Sequence, residues 1–183
     1  MWRLPVAEGA LARAQRADAA LCLAMNRALR LAAVPPFFRL VSWLGNGLFW
    51  YALMLGLLLH DGRAAALPVA HLALVGIACT LIYKAVKRRT LRPRPYQALE
   101  ALDIGAVPLD RFSFPSGHTL HAVAFSLVAA SYYPALALPL GAFTALTAAS
   151  RVVLGLHYPS DVLAGAAIGG VVAALSLSGP FGI

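Results

Sequence analysis

Long apolar stretches separated by short polar clusters dominate the chain. Five stretches approach the length that a helix needs to cross a bilayer, about 17 to 25 apolar residues; they comprise residues 37–59, 64–86, 117–133, 135–152 and 160–178. The run from Thr119 to Ser150 contains no charged residue and is too long for one crossing, and Tyr133-Pro134 provides a break. The pattern predicts an all-α, polytopic integral membrane helical bundle with about five transmembrane helices.

The segment before the first span has a different pattern. Over residues 8–34, Ala, Leu and Met occupy one side of a helix, while charged and amide side chains interrupt the rest. The charge-free stretch between Arg16 and Arg27 is too short to span a bilayer. We therefore expect an amphipathic helix that lies in the membrane interface and ends at Val34-Pro35-Pro36. A first spanning helix with its arginines buried in the bundle is the alternative.

Composition supports a single membrane domain over residues 1–183. The chain is 61% hydrophobic and 12% charged, with a mean hydropathy of +0.76, whereas a soluble domain carries about 25% charged residues. The formal charge of +8 favours an anionic partner. Because the basic residues flank the spans, we expect membrane lipid headgroups and no nucleic acid. Neither Cys22 nor Cys79 has the spacing of a disulfide framework or a metal site.

Three polar clusters stand at the ends of spans. They are Lys87…Arg94-Pro95, Pro115-Ser116-Gly117-His118 and Ser150-Arg151…His157…Asp161, all within residues 84–165. With five spans, simple alternation places the three clusters on the same face of the membrane. Charged groups at such positions are costly unless they meet in a pocket. The sequence therefore predicts that the clusters form one site.

Cations dominate the first cluster. The guanidinium of Arg94 suits two phosphate oxygens, and Lys87 adds a compact positive charge. The alternative is that both are snorkelling cations at a span end, which is the usual role of Lys and Arg there. That ordinary role is assigned to three further arginines, Arg88, Arg89 and Arg92.

The second cluster is typical of a helix N-terminus that binds an anion. Free backbone N–H groups there carry a partial positive charge. Ser116 can cap the helix or donate to phosphate, and Gly117 allows close approach of the backbone. His118 would then lie in the first turn beside the bound anion. The alternative is an ordinary Ser-Gly cap with an interfacial histidine; His121, one turn further, is assigned a packing role.

The third cluster pairs an imidazole with a carboxylate. His157 and Asp161 are four residues apart, and Pro159 is placed to begin the fifth span. Helical geometry would put both side chains on one face, so that Asp161 accepts a hydrogen bond and leaves the other ring nitrogen free as a nucleophile. Arg151 ends the preceding span and can complete a phosphate-binding cage. A His-Asp pair that serves packing alone is the alternative.

Together these groups suggest a phosphatase mechanism. His157 attacks phosphorus to form a phosphohistidine, His118 protonates the leaving oxygen, and water then hydrolyses the intermediate. The phosphate oxygens are stabilised by the remaining polar groups of the clusters, Lys87, Arg94, Arg151, Ser116 and Gly117. The sequence has no carboxylate cluster suited to Mg²⁺ or Ca²⁺, so we expect no metal and no cofactor.

The three clusters in this order resemble the full signature of the type 2 phosphatidic acid phosphatase superfamily. Lys87-x6-Arg94-Pro95, Pro115-Ser116-Gly117-His118 and Ser150-Arg151-x5-His157-x3-Asp161 all occur without substitution. The resemblance implies a nucleophilic His157 oriented by Asp161, an acid/base His118, and the phosphate-binding residues named above. The small size and the N-terminal helix are similar to the bacterial undecaprenyl-diphosphatase branch.

This resemblance implies an integral-membrane lipid phosphatase acting on undecaprenyl (polyprenyl) diphosphate. Phosphatidic acid, phosphatidylglycerophosphate and a polyprenyl phosphosugar are the alternative substrates, and phosphoryl transfer to another acceptor is an alternative reaction. A lipid-phosphate binder or flippase is the non-enzyme alternative.

Two lines of reasoning place the site on opposite sides of the membrane. Similarity to the family implies the extracytoplasmic face of a bacterial inner membrane, where a polyprenyl carrier is recycled. Most lysines and arginines lie on the predicted site face and the opposite loops carry little beyond Arg63, so the positive-inside rule favours the cytoplasm. Because several of these cations belong to the site itself, we expect the extracytoplasmic face.

Overall fold

The computed structural model describes residues 9–108 and 110–179, which form helices joined by short turns and one longer loop. No strand occurs within these residues. The helices are Ala10–Asn26 (α1), Val34–Trp43 (α2), Phe49–Asp61 (α3), Ala66–Thr90 (α4), Pro95–Ala98 (α5), Gly117–Tyr132 (α6), Ala137–Val153 (α7) and Pro159–Leu177 (α8). The predicted all-α class is confirmed.

Three helical runs in the described part of the chain are long and apolar enough to cross a membrane. They are Val34–Ala98, Pro134–Val153 and Pro159–Leu177. The first run contains two of the predicted spans, one in α2–α3 and one in α4. The predicted third span corresponds to α6, whose 16 residues are short for a crossing that needs about 20. Five crossings therefore stay a prediction.

The first predicted span is broken rather than continuous. Residues Leu44–Leu48 form a wide π-helical turn between α2 and α3, and Gly47 within it has a φ of 128°. Glycine adopts this conformation readily because it has no Cβ. Turns of this kind are frequent at functional sites, and this one packs against α6.

Helix α6 is the centre of the bundle and packs against α4, α7 and α8. Its approach to α8 is close because Gly165 and Gly169 present no side chain. A Cβ at Gly169 would lie 2.3 Å from the carbonyl oxygen of Leu120, and one at Gly165 would lie 2.5 Å from that of Ser116. Small residues permit such approaches between membrane helices. The packing holds the first turn of α6 beside the first turn of α8.

The N-terminal helix packs against the bundle. Helix α1 contacts α7 and α8, and Cys22 on α1 is fully buried. The side-chain amide of Asn26 donates to the carbonyl oxygens of Asp103 and Val153, both at 2.9 Å. The first residue of the predicted helix over 8–34 lies outside the described residues. The predicted end is wrong, because α1 ends at Asn26 and Val34-Pro35-Pro36 begins α2. The interfacial position of α1 stays a prediction.

Candidate active site

The three polar clusters meet at one cavity of about 700 Å³. Each cluster contributes to its wall, through Lys87, Arg94, Gly117, His118, Arg151 and His157. Two predicted site residues, Ser116 and Asp161, are fully buried and lie outside the lining. The convergence expected from the alternation of spans is thus present in the structure.

His157 lies before the helix of Asp161, not within it. Helix α8 begins at Pro159, as predicted, and His157 precedes the N-cap residue. Gly155, with a φ of 72°, allows the chain to reverse, and the His157 N–H donates to the carbonyl oxygen of Arg151 at 3.0 Å. The expectation of a shared helix face is therefore wrong. A turn, not helical spacing, brings the imidazole to Asp161.

The two ring nitrogens of His157 face different groups. Nδ1 lies 3.6 Å from Oδ2 of Asp161, which is an ion-pair distance longer than a hydrogen bond. On the other side, Nη1 of Arg94 lies 3.3 Å from Nε2. Since a guanidinium only donates, this contact requires a lone pair on Nε2 and leaves the proton on Nδ1. Nε2 therefore carries the lone pair that the predicted attack on phosphorus requires.

The surroundings of His157 favour its neutral form. The residue is 1% exposed and lies in the turn between α7 and α8. Burial, together with the positive charges of Arg151, Arg94 and Lys87, holds the pKa of the imidazole well below its ordinary value of 6.5. A neutral imidazole keeps the lone pair that nucleophilic attack requires.

Asp161 is held by a cation that the sequence did not single out. Nη1 of Arg92 donates to Oδ1 at 2.6 Å, and the Tyr158 N–H donates to Oδ2 at 2.9 Å. Nη2 of Arg92 also donates to Asp18 on α1, at 2.8 Å. The snorkelling role assigned to Arg92 is therefore wrong. This arginine pairs with the buried carboxylate and links it to the N-terminal helix.

Two of the predicted phosphate-binding cations already hold a carboxylate. Nζ of Lys87 donates to both oxygens of Asp110, at 2.7 and 2.9 Å, and Nη2 of Arg94 donates to Oδ1 at 2.7 Å. Burial opposes ionisation of Asp110, but the hydrogen bonds and charges of Lys87 and Arg94 outweigh it and hold the pKa of Asp110 below its usual 3.8. Asp110 thus stands where an anion would meet both cations.

Arg151 has a donor that lacks an acceptor. The residue is 2% exposed, and its Nη1 donates to Oγ of Ser42. Within the described residues, its buried Nε has no hydrogen-bond partner. A buried donor left unsatisfied costs about 1–3 kcal/mol. Arg151 lines the cavity, and its predicted binding of phosphate stays a prediction.

The second cluster forms the start of α6, as predicted. Oγ of Ser116 accepts a hydrogen bond from the Thr119 N–H, and the Ser116 N–H donates to the carbonyl oxygen of Asp161 at 3.0 Å. The bond to Asp161 joins the first turn of α6 to that of α8, while direct contact of Ser116 with phosphate stays a prediction. Gly117 lines the cavity and opens the helix, where amides lack intrahelical acceptors.

His118 meets an amide from the broken helix. Its Nε2 contacts Oδ1 of Asn46, which lies in the turn between α2 and α3. With the amide in this orientation, Nε2 is the donor and carries a proton. His121 has the packing role predicted for it, because Nδ1 contacts the carbonyl oxygen of Gly117 at 2.8 Å and Nε2 contacts Thr80 at 3.1 Å.

Residues 66–182 match the PAP2 superfamily. The chain belongs to this superfamily. The match covers more than half of the 183 residues and contains all three polar clusters. The resemblance found in the motif spacing is confirmed.

Curated relatives of this PAP2 chain are bacterial phosphatases. It is 33% identical to undecaprenyl-diphosphatase BcrC of Bacillus subtilis over 114 residues, which are 62% of this chain and 58% of that protein. It is 36% identical to decaprenylphosphoryl-5-phosphoribose phosphatase of Mycobacterium tuberculosis over 91 residues, 49% of each chain. The PAP2 chain therefore spans about half the length of the curated relatives that it matches.

Solved PAP2 structures resemble the whole bundle. Aquifex aeolicus LpxE superposes with a TM-score of 0.78 at 27% identity, covering 95% of this chain and 99% of that one. The transmembrane PAP2 type phosphatidylglycerolphosphate phosphatase of Bacillus subtilis gives a TM-score of 0.70 at 25% identity, covering 90% and 84%. The all-α bundle is thus a membrane protein of the PAP2 type.

Three residues of the PAP2 site were missed in the sequence: Asn46, Arg92 and Asp110. Arg92 stands two residues before Arg94, so its place inside the first motif was an available signal. Asn46 is flanked by Gly45 and Gly47, a pattern that breaks a span. Asp110 lies in a loop without periodicity and gave no signal.

Proposed function

We propose that this PAP2 protein is an integral-membrane lipid phosphatase that hydrolyses a polyprenyl diphosphate such as undecaprenyl diphosphate. The observation that carries the proposal is the cavity, which joins a cluster of cations to an apolar wall. Arg94, Arg151 and His157 line one part, whereas Met54, Ile77, Leu81 and Phe125 are among the apolar residues that line the rest. A phosphate and a hydrocarbon tail on one molecule match these two parts.

The apolar part of the cavity is open toward the surroundings of the bundle. Ile77 and Leu81 on α4 are 58% and 64% exposed, and Tyr51 on α3 is 70% exposed, although all three line the cavity. In a membrane, this side faces lipid. A substrate with a long tail can therefore enter from the bilayer, whereas a soluble phosphate ester would leave the apolar wall unused.

The proposed reaction proceeds in two displacements. Nε2 of His157 attacks the terminal phosphorus, so that a P–N bond forms while the P–O bond to the lipid phosphate breaks, and His118 gives its proton to the leaving oxygen. Asp161 stabilises the imidazolium, and Arg94 and Arg151 bind the phosphoryl oxygens. Water then attacks phosphorus and passes a proton to His118, and the P–N bond breaks to release orthophosphate.

In this proposal, side chains supply the positive charge that stabilises the phosphoryl oxygens. Among the residues that the structure describes, no group of three or more His, Cys, Asp or Glu side chains is arranged to hold a metal ion. Arginine and lysine supply positive charge at the cavity instead. We therefore expect turnover to persist in a chelator, and loss of turnover that divalent metal restores would contradict this part of the proposal.

Phosphate release tests the activity. The purified full chain in detergent is given undecaprenyl diphosphate, phosphatidic acid and phosphatidylglycerophosphate, and the same assay is run on His157→Ala. We expect release from the diphosphate and a trapped acid-labile phosphoenzyme, both lost in His157→Ala. Equal release by the two proteins would overturn the proposal, and binding without release would favour a lipid-phosphate binder.

We also propose that the site lies at the extracytoplasmic face of a bacterial inner membrane. Val107 lies in the loop between α5 and α6 and is 87% exposed, so Val107→Cys provides a label site. Cys22 and Cys79 are buried and are poor targets for labelling. An impermeant thiol reagent should label Val107→Cys in intact cells. Labelling only after the membrane is opened would place the site in the cytoplasm.

A further inference from the structure

Asn46 and Lys84 are polar residues of the cavity that have no role in the proposed attack on phosphorus. Asn46 lies in the break between α2 and α3, and Lys84 lies on α4, and both line the cavity. Two other polar side chains of the wall are engaged, because Thr80 and His121 contact each other at 3.1 Å. Asn46 and Lys84 are both exposed, and they line the same cavity as the cations and the apolar residues.

Lys84 is placed one helical turn before Lys87. Residues three apart on an α-helix share a face and differ by about 4.5 Å along the axis. Since α4 reaches the cation cluster at its C-terminal end, Lys84 lies on the side of Lys87 from which the tail would come. Within the described residues, the ion pairs of the cavity engage Lys87 and Arg94 with Asp110, and none includes Lys84.

Asn46 offers two N–H donors to a ligand. Its Oδ1 contacts Nε2 of His118, so the amide group that remains, Nδ2, carries two N–H donors. A general acid must reach the oxygen that it protonates. The position beside His118 is therefore the position of the leaving group, and Asn46 offers donors there.

We propose that Asn46 and Lys84 form a subsite for the inner phosphate of a lipid diphosphate. An alcohol leaving group needs a proton from His118 and has no use for a nearby ammonium group. A leaving lipid monophosphate is an anion, which the Lys84 charge and the Asn46 donors match. The inference rests on the proposed function and adds which residues distinguish a diphosphate from a monophosphate.

Paired substrates test this subsite. Farnesyl diphosphate and farnesyl phosphate share one tail and differ by the inner phosphate, and kcat/KM is measured for both in detergent. Lys84→Gln should lower kcat/KM for the diphosphate relative to the monophosphate by about tenfold or more, since a charge-assisted bond is lost. Lys84→Arg should restore the ratio, and Arg89→Gln, an equal charge change at an exposed position of α4, should leave it unchanged.

Asn46→Ala separates binding of phosphate from support of His118. The change removes the amide donors without adding a charge. If Asn46 binds the inner phosphate, kcat/KM falls more for farnesyl diphosphate than for farnesyl phosphate. If Asn46 only positions His118, kcat/KM falls at least as much for farnesyl phosphate, whose alcohol leaving group depends on the proton, and that result would overturn the part of Asn46 in the subsite.

An inhibitor pair makes the test independent of the natural substrate. Methylenediphosphonate spans two phosphate positions and methylphosphonate spans one, and each Ki is measured with whichever lipid phosphate the protein hydrolyses. Lys84→Gln should raise the Ki of methylenediphosphonate alone. An equal change in both Ki values, or none, would overturn the subsite even if polyprenyl diphosphate is hydrolysed. The proposed function fails separately, when wild type and His157→Ala release phosphate equally.

Discussion

The two histidines of the cavity stand in differently built surroundings. His157 is 1% exposed, and its partner Asp161 is fully buried and held by Arg92 from the loop after α4. His118 is only partly buried, and its ring contacts Asn46 in a turn that breaks the first span. The surroundings of His157, the proposed nucleophile, are therefore fixed by ion pairs from several elements, whereas His118, the proposed acid, borders an open, partly apolar wall.

This difference matches what lipid phosphates share and what distinguishes them. Every such substrate presents the same phosphoryl group, so the side that attacks it can be rigid and closed to the tail. Leaving groups differ in charge and size, so the side that protonates them must be accessible. Reactive groups held by packed supporting contacts are the more precise ones, which predicts that substitutions on the two sides have different consequences.

The largest expected difference is between His157→Ala and His118→Ala, in how their activity depends on the leaving group of the substrate. His157→Ala removes the proposed nucleophile and should reduce phosphate release to background with every substrate. His118→Ala should lower kcat with a lipid substrate by about 10²–10⁴. p-Nitrophenyl phosphate, whose leaving group needs no proton, should recover most of that loss in His118→Ala and none of it in His157→Ala. Recovery in both variants would contradict the assignment of the two roles.

Removing Arg92 should disturb the position of His157 through the lost bond to Asp161. Arg92→Ala leaves the buried Asp161 carboxylate without its cation, which costs up to about 3 kcal/mol because Arg92 is partly exposed. A displaced imidazole should also lower kcat by about 10²-fold with little change in KM. Thermal unfolding in detergent and steady-state kinetics measure the two effects.

Two variants calibrate the Arg92 result. Asp18→Asn weakens the contacts of α1 with Arg92 and with Ser160 and leaves the bond of Arg92 to Asp161. It should therefore lower kcat less than Arg92→Ala does. Arg88→Ala makes the same charge change at an exposed position nearby and should resemble the wild type. If Arg92→Ala and Arg88→Ala behave alike, Arg92 has no positioning role.

Two adjacent glycines on α8 test how far the closed side depends on helix packing. A Cβ at Gly169 would lie 2.3 Å from the carbonyl oxygen of Leu120, whereas a Cβ at Gly170 meets nothing within 4 Å. Gly169→Ala should destabilise the bundle by about 1–3 kcal/mol. Gly170→Ala should be close to neutral. Equal unfolding temperatures for the two variants would mean that α6 and α8 do not pack as closely as described.

Much of this fold and site was predictable from the sequence, since its signals were local. Span length and Tyr133-Pro134 predicted α6 and α7 as separate helices, and alternation of the spans predicted that the clusters meet. Spacing also suggested that His157 and Asp161 are neighbours, but for the wrong reason. The turn at Gly155 places the imidazole, and a four-residue spacing looks the same in a helix and in such a turn.

The missed residues depend on contacts between distant parts of the chain. Arg92 meets Asp18 across 74 positions and Asp161 across 69, and no periodicity relates such positions. Asp110 pairs with two cations of the first motif, from a loop whose path local pattern does not determine. Asn46 reaches His118 because the helix breaks beside Gly47. The sequence pattern therefore predicts the motif residues but not the distant residues that contact them in the fold.

The pH dependence should reflect the closed surroundings of His157. Protonation of Nε2 would remove the attacking lone pair, and the pKa of His157 lies well below 6.5 because of burial and the cations around it. Activity should therefore persist as pH falls through 6.5 and decline only below the pKa that His157 has in the folded protein. The measurement is kcat/KM against pH, corrected for ionisation of the lipid phosphate. A decline attributable to the enzyme at or above pH 6.5 would mean that the ring is exposed to water.

The smallest expected effect concerns Asp110 in the loop between α5 and α6. Its ionised carboxylate binds Lys87 and Arg94 and must yield them, at least in part, when phosphate binds. Asp110→Asn removes this competing charge, so the Ki of orthophosphate as a product inhibitor should fall by about threefold to fivefold, the equivalent of one partly exposed ion pair. Asp103→Asn, an equal change at an exposed position of the same loop, should leave Ki unchanged. A higher Ki in Asp110→Asn would instead mean that the carboxylate holds the cations in place for phosphate.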